Sequence, residues 1–122
     1  MTEIEQRMVA IVDDDAAIRD SLRFLLEVIG LPVETFASAV EFLAADIRSI
    51  ACLILDQHMP ETTGLELAER LRADGSNIPI LLITGASTPA IVIRAAELGI
   101  NRVLAKPCAD EDLLDFINAT RS

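Results

Sequence analysis

Basic residues are scarce in this 122-residue chain: ten Lys plus Arg stand against twenty Asp plus Glu, giving a formal charge of -10. That balance excludes a protein that binds nucleic acid or an anionic membrane mainly by charge. Long apolar runs are missing too, since no stretch approaches the roughly 18 uninterrupted residues of a membrane span. The polar opening from Thr2 to Arg7 lacks the layout of a secretory signal peptide. The expected location is therefore the cytoplasm. Only Cys52 and Cys108 are available to pair, and a single optional bridge is no framework for a domain able to bury its own core, so both are expected as reduced thiols. Internal repeats, low-complexity tracts and linker-like stretches are also absent. Lysine is rarer still: nine of the ten basic residues are arginine, and Lys106 stands alone.

What is present is apolar content, 52% of residues, far above the disordered range. Residues 1–122 read as one domain. Met8 to Val12 is a short apolar run that stops at Asp13, Asp14 and Asp15, the profile of a strand buried on both faces. From Ala16 to Ile29, Ile18, Leu22, Leu25, Leu26 and Ile29 recur at helical spacing and Gly30 supplies a stop. Pro32 to Phe36 is a weaker strand suited to a sheet edge. Ser38 with Glu41 opens a short helix from Ala39 to Ala45. Ala51 to Leu55 is a strand ending at Asp56, followed by a helix from about Gly64 to Ala73. Ile78 to Ile83 ends at Thr84, and Thr88 with Pro89 caps a helix to Leu98 that stops at Gly99. Arg102 to Ala105 is a strand ending at Lys106, and Asp110 to Ala119 is the last helix.

Strict alternation of strand and helix with short loops predicts a doubly wound α/β domain: a five-stranded parallel sheet covered on both sides, in the flavodoxin-like order 2-1-3-4-5. In that order strands 1, 3, 4 and 5 deliver Asp13 and Asp14, Asp56, Thr84 and Lys106 to one rim. Carboxylates gathered in one cleft repel unless a cation relieves them, and an all-oxygen set suits a hard ion such as Mg2+. A lysine and a hydroxyl opposite that ion are what a phosphoryl group needs. No Walker-type loop and no GxGxxG follows the first strand, so nucleotide binding by those routes is unsupported. An aspartate can itself accept the phosphoryl group, because a carboxylate is an established nucleophile in such transfers.

With Ile11 to Asp14, Leu53 to Gly64 including Asp56, Met59, Pro60 and Gly64, Ile83 to Gly85, and Lys106 with Pro107 in this order, the chain resembles the CheY-like receiver domain of two-component response regulators. The spacing of Asp56, Thr84 and Lys106 is similar to receivers of FixJ-like regulators in the LuxR-type class. The resemblance implies that Asp56 is the phosphoacceptor and that Asp13, Asp14, Asp56 and the backbone carbonyl of His58 hold magnesium. It also implies that Thr84 and Lys106 meet the phosphoryl group, with a cis bond before Pro107. The donor would be a sensor histidine kinase or a phosphotransfer protein, and the chain would catalyse only its own phosphorylation and dephosphorylation. The helix from Pro89 to Leu98, the last strand and the last helix would form the output face, for a homodimer or an output domain. Family members commonly carry an aromatic three residues before the lysine; here Val103 takes that place, which excludes an aromatic swing coupled to Thr84. Cys108 likewise stands where Phe is frequent.

Each of these residues has a plainer reading. Asp13 to Asp15 can be a solvated loop with Asp15 as N-cap, Thr84 a turn hydroxyl satisfying its own backbone, and Lys106 a surface charge. His58, the only histidine, has nothing around it in sequence that makes a histidine-based site; beyond the backbone role that the resemblance implies, its side chain is expected to affect phosphoryl lifetime. The apolar residues from Ala90 to Leu98 exceed one core-facing stripe, so this helix is either an interaction face or packed deeply. At the level of the whole chain the alternatives are an unphosphorylated pseudo-receiver acting as an adaptor, and a haloacid-dehalogenase-like phosphohydrolase. The latter needs a second Asp where His58 stands.

Overall fold

A computed structural model describes residues 7–121, so the polar opening from Thr2 to Gln6 lies outside the described residues. Eleven elements follow one another: β1 (Met8–Val12), α1 (Ala16–Val28), β2 (Val33–Phe36), α2 (Ala39–Leu43), a 3-10 turn (Ile47–Ser49), β3 (Ile50–Asp56), α3 (Gly64–Ala73), β4 (Ile80–Thr84), α4 (Pro89–Glu97), β5 (Arg102–Ala105) and α5 (Asp110–Arg121). The strands form one parallel sheet in the order β2-β1-β3-β4-β5, the expected doubly wound arrangement. Pro32 precedes the edge strand β2, where its missing N–H costs nothing, and its carbonyl accepts from Val9 N–H at 2.9 Å.

Alternation along the strands divides the core in two. Ala10, Val12, Leu53, Leu55, Ile80 and Leu82 face Phe36, Phe42, Leu67, Leu71 and Leu98 on one side of the sheet. Val9, Ile11, Cys52, Ile54, Leu81 and Ile83 face Leu26, Leu113, Phe116 and Ile117 on the other. All seven residues of β3 are buried, which is why its sequence reads as a continuous apolar run ended by an acid. Phe36 and Phe42 meet edge-to-face with centroids 5.2 Å apart, and Cys52 and Cys108 are thiols rather than a disulfide.

Helix ends follow the sequence signals closely. Asp15 caps α1 through Ala17 and Ile18 N–H, Ser38 caps α2 through Glu41 N–H, and Thr88 caps α4 with Pro89 in its first turn. Thr63 and Glu66 form a reciprocal capping box on α3. Three boundaries differ from expectation by two residues, the others by no more than one. The second helix ends at Leu43 rather than Ala45, because Asp46 opens a separate 3-10 turn by accepting from Arg48 N–H. The fourth strand begins at Ile80 rather than Ile78; Pro79 cannot donate to a ladder, and Ile78 is held instead by Ser76 Oγ and Arg72. The last helix runs on to Arg121.

Arg72 ties the far end of the sheet together. Its guanidinium donates to the carbonyls of Leu98, Ser76, Ile78 and Gly99 at 2.7–3.2 Å, joining the C-terminal ends of α3 and α4 to the entry of β4. Burial pulls its pKa below the usual arginine value.

Candidate functional site

The site is built from strand ends. Asp13 follows β1 directly and is fixed three ways: its N–H donates to Phe36 carbonyl at 3.1 Å, its Oδ1 accepts from Asp15 N–H at 2.9 Å, and its carbonyl accepts from Arg19 Nη1 at 2.7 Å. Asp56 is the last residue of β3 and only 3% exposed. Behind it, Gln57 locks the start of α3, its carbonyl accepting from Gly64 N–H at 3.1 Å and its Oε1 from Leu65 N–H at 2.8 Å. Gly64 is required here by closeness rather than by backbone angle: a Cβ would sit 2.6 Å from Asp56 carbonyl oxygen and 2.8 Å from Leu82 Cδ1. Thr84 ends β4, and its carbonyl accepts from Lys106 N–H at 2.8 Å, which carries Lys106 to the same rim. The Lys106–Pro107 bond is cis.

The tertiary structure brings these residues together. Asp13, Asp14 and Asp56 each offer a carboxylate oxygen within 4.8 Å of one another. Lys106 Nζ lies 2.8 Å from Asp56 Oδ1, within reach of a charge-assisted hydrogen bond. Burial pushes the Asp13 carboxyl above its usual pKa, against the pull of the Asp15 N–H, and the neighbouring Asp56 and Asp14 charges add to the rise. Lys106 shows the complementary effect: burial alone would lower it, but Asp56, Asp13 and Asp14 together hold its ammonium above the ordinary lysine value. Such a pocket carries excess negative charge on oxygen donors only, the donor set that fits a hard divalent cation. Beside it, Ile18, Leu22, Ile83, Pro107 and Cys108 line an apolar cavity of about 420 Å³ whose polar edge is Asp13 and Lys106.

Thr84 is fully buried, and its hydroxyl makes the turn contacts of the plainer reading, with Ala86 N–H and Ala86 carbonyl at 3.2 Å each. It also makes one that sequence reasoning missed, 3.1 Å to Nε2 of His58. Nothing in a one-dimensional pattern pairs those residues; only the adjacency of β3 and β4 does. On α4, Val92 and Ile93 are 47% and 60% exposed, which decides against deep packing. A second exposed apolar group, Phe24, Val28 and Ile29 around the end of α1, was also missed. The four-residue step from Phe24 to Val28, beside the core stripe, was its signal.

A doubly wound sheet with an acidic pocket at its carboxyl edge, answered by one lysine and a buried threonine, defines a receiver-type α/β domain. The chain belongs to the response regulator receiver domain family, whose model matches residues 9–118. It is 40% identical over 110 residues to the transcriptional regulatory protein FixJ of Bradyrhizobium diazoefficiens, covering 89% of this chain and 54% of that protein. It is also 40% identical over 112 residues to the transcriptional regulatory protein TdiR of Thauera aromatica, covering 91% and 49%. The chain thus spans about half the length of the curated relatives it matches. Among solved structures, that of FixJ-N superposes with a TM-score of 0.86 at 32% identity over 97% of this chain and 95% of that one. The response regulator StyR gives 0.87 at 38% identity over 95% and 59%. Among the described residues no helix is long and apolar enough to cross a membrane.

Proposed function

We propose that this chain, as a single receiver domain over residues 1–122, accepts a phosphoryl group on Asp56 and passes the event to a partner through a changed surface. The observation that carries the reading is the convergence of Asp13, Asp14 and Asp56 within 4.8 Å, with Lys106 Nζ 2.8 Å from the acceptor carboxylate. Asp13, Asp14, Asp56 and the backbone carbonyl of His58 would hold magnesium, which when bound supplies positive charge against the carboxylates and the incoming phosphoryl oxygens. A carboxylate oxygen of Asp56 attacks phosphorus, the bond from phosphorus to the donor's histidine nitrogen breaks, and the imidazole leaves with that electron pair. Lys106 balances the added charge, and Thr84 donates to a phosphoryl oxygen.

The donor class is a sensor histidine kinase or a phosphotransfer protein, and the chain turns over no other substrate. Movement of Thr84 and Lys106 shifts the loops after β4 and β5 and thereby biases α4, β5 and α5. Exposed Val92 and Ile93 on α4 support that face as the contact for a second copy or an output domain. Given its acidity, the chain is assigned no direct nucleic-acid contact, and its working compartment is the cytoplasm.

The test is incubation with magnesium and a small phosphodonor, or with beryllofluoride as a phosphoryl mimic, comparing wild type with Asp56→Asn. Wild type should gain one phosphoryl group by intact mass and the variant none. Wild-type protein that neither gains the group nor binds the mimic would leave only an adaptor role.

A further inference from the structure

The Thr84 hydroxyl has all its hydrogen-bonding capacity engaged within the protein. It accepts from Ala86 N–H at 3.2 Å, donates toward Ala86 carbonyl at 3.2 Å, and faces His58 Nε2 at 3.1 Å. A hydroxyl offers one proton and two lone pairs, so three partners exhaust it. Two of them belong to Thr84's own turn. The third arrives from the β3–α3 loop, two residues past Asp56, and its ring rests against the β4–α4 loop, where Cδ2 lies 4.0 Å from the place a Cβ on Gly85 would occupy. His58 is exposed, so no demand for core filling explains an imidazole at this position. The chain also has no tyrosine or tryptophan, and Val103 on β5 is aliphatic, so no such ring is available to follow Thr84.

We propose that His58 is a positioning residue: a latch that holds the Thr84 hydroxyl through Nε2 and must release it before Thr84 turns to a phosphoryl group on Asp56. The inference rests on the phosphoacceptor reading above and adds to it the group that opposes the switch. Because the latch joins the β3–α3 loop to the β4–α4 loop, its release frees the second loop at the moment Thr84 is recruited. A ligand that needs Thr84 competes with this hydrogen bond, and competition with one such bond lowers apparent affinity by a few-fold to about ten-fold.

The experiment measures beryllofluoride affinity at saturating magnesium for wild type, His58→Phe, His58→Gln, Thr84→Val and the double variant His58→Phe with Thr84→Val. Phe keeps a ring over Gly85 and removes both nitrogens, whereas Gln keeps a donor and an acceptor. His58→Phe should bind the mimic a few-fold to ten-fold more tightly and His58→Gln close to wild type. In the Thr84→Val background the gain from His58→Phe should vanish, which a merely structural effect of the ring would not do. Unchanged affinity in His58→Phe, an equal gain in His58→Gln, or a gain that persists without the Thr84 hydroxyl each overturns the latch while leaving the receiver reading intact. Failure of wild type to bind the mimic at all overturns both.

Discussion

Asp13 sits at the base of the acidic pocket, 5% exposed, with Asp56 and Asp14 as neighbours. Its carboxyl is displaced upward first by burial and then by those like charges. A group whose folded pKa is raised gives its full support to the fold below its unfolded value, near 3.8, and loses it as pH rises through the raised folded value. In magnesium-free buffer, thermal melts between about pH 4 and 7 should therefore show wild type losing stability relative to Asp13→Asn as pH rises. At neutral pH the variant should be more stable by up to about 1 kcal/mol, because it removes a buried like charge while keeping the oxygen that accepts from Asp15 N–H. Added magnesium should raise the melting temperature of wild type and leave that of the variant nearly unmoved. An exposed pair far from the pocket behaves oppositely: hydrogen bonds from Arg48 hold Asp46 down to about 2, so its support is present above the ordinary carboxylate range and lost as pH falls. Asp13, Asp56 and Lys106 were legible in sequence because each ends an apolar run. The contact of the His58 side chain with Thr84 was not, because the two residues stand 26 positions apart.

At the scale of elements, the start of α3 is machined to the back of β3. Thr63 and Glu66 cap it, Gln57 fastens it, and Gly64 lets it approach the Asp56 backbone. Gly64→Ala places a Cβ 2.6 Å from Asp56 carbonyl oxygen and 3.0 Å from Gln57 Cα, backbone atoms that cannot step aside cheaply. Urea unfolding should show a loss of about 1–3 kcal/mol, and affinity for beryllofluoride should fall as well, because the strain is delivered to Asp56. A loss of stability with unchanged mimic binding would mean that α3 yields instead of β3. The caps at Asp15, Ser38 and Thr88 were readable from residue type and position, since an N-cap is a local event. The close approach at Gly64 was not, since Leu82, which also crowds the site, comes from a different strand.

Across the whole molecule, apolar residues serve two ends. Most fill the two cores on either side of the sheet, while Val92 and Ile93 on α4 and Phe24, Val28 and Ile29 around the end of α1 stay exposed. If α4 contributes the contact for a second copy, Ile93→Asp should change stability by no more than about 0.5 kcal/mol. It should also abolish any self-association that beryllofluoride induces in wild type, as read by sedimentation velocity. Retention of mimic-induced dimers in the variant would move the contact elsewhere. By itself the sequence determined the alternation of strands and helices, the parallel doubly wound sheet and the identity of the residues at the strand ends, because hydrophobic period, caps and turns act over a few neighbouring positions. Only the tertiary structure decided that Asp13, Asp14 and Asp56 lie within 4.8 Å, that Lys106 meets Asp56 and that His58 meets Thr84. Those distances depend on strand order and register across the sheet, which join parts of the chain that no local pattern connects.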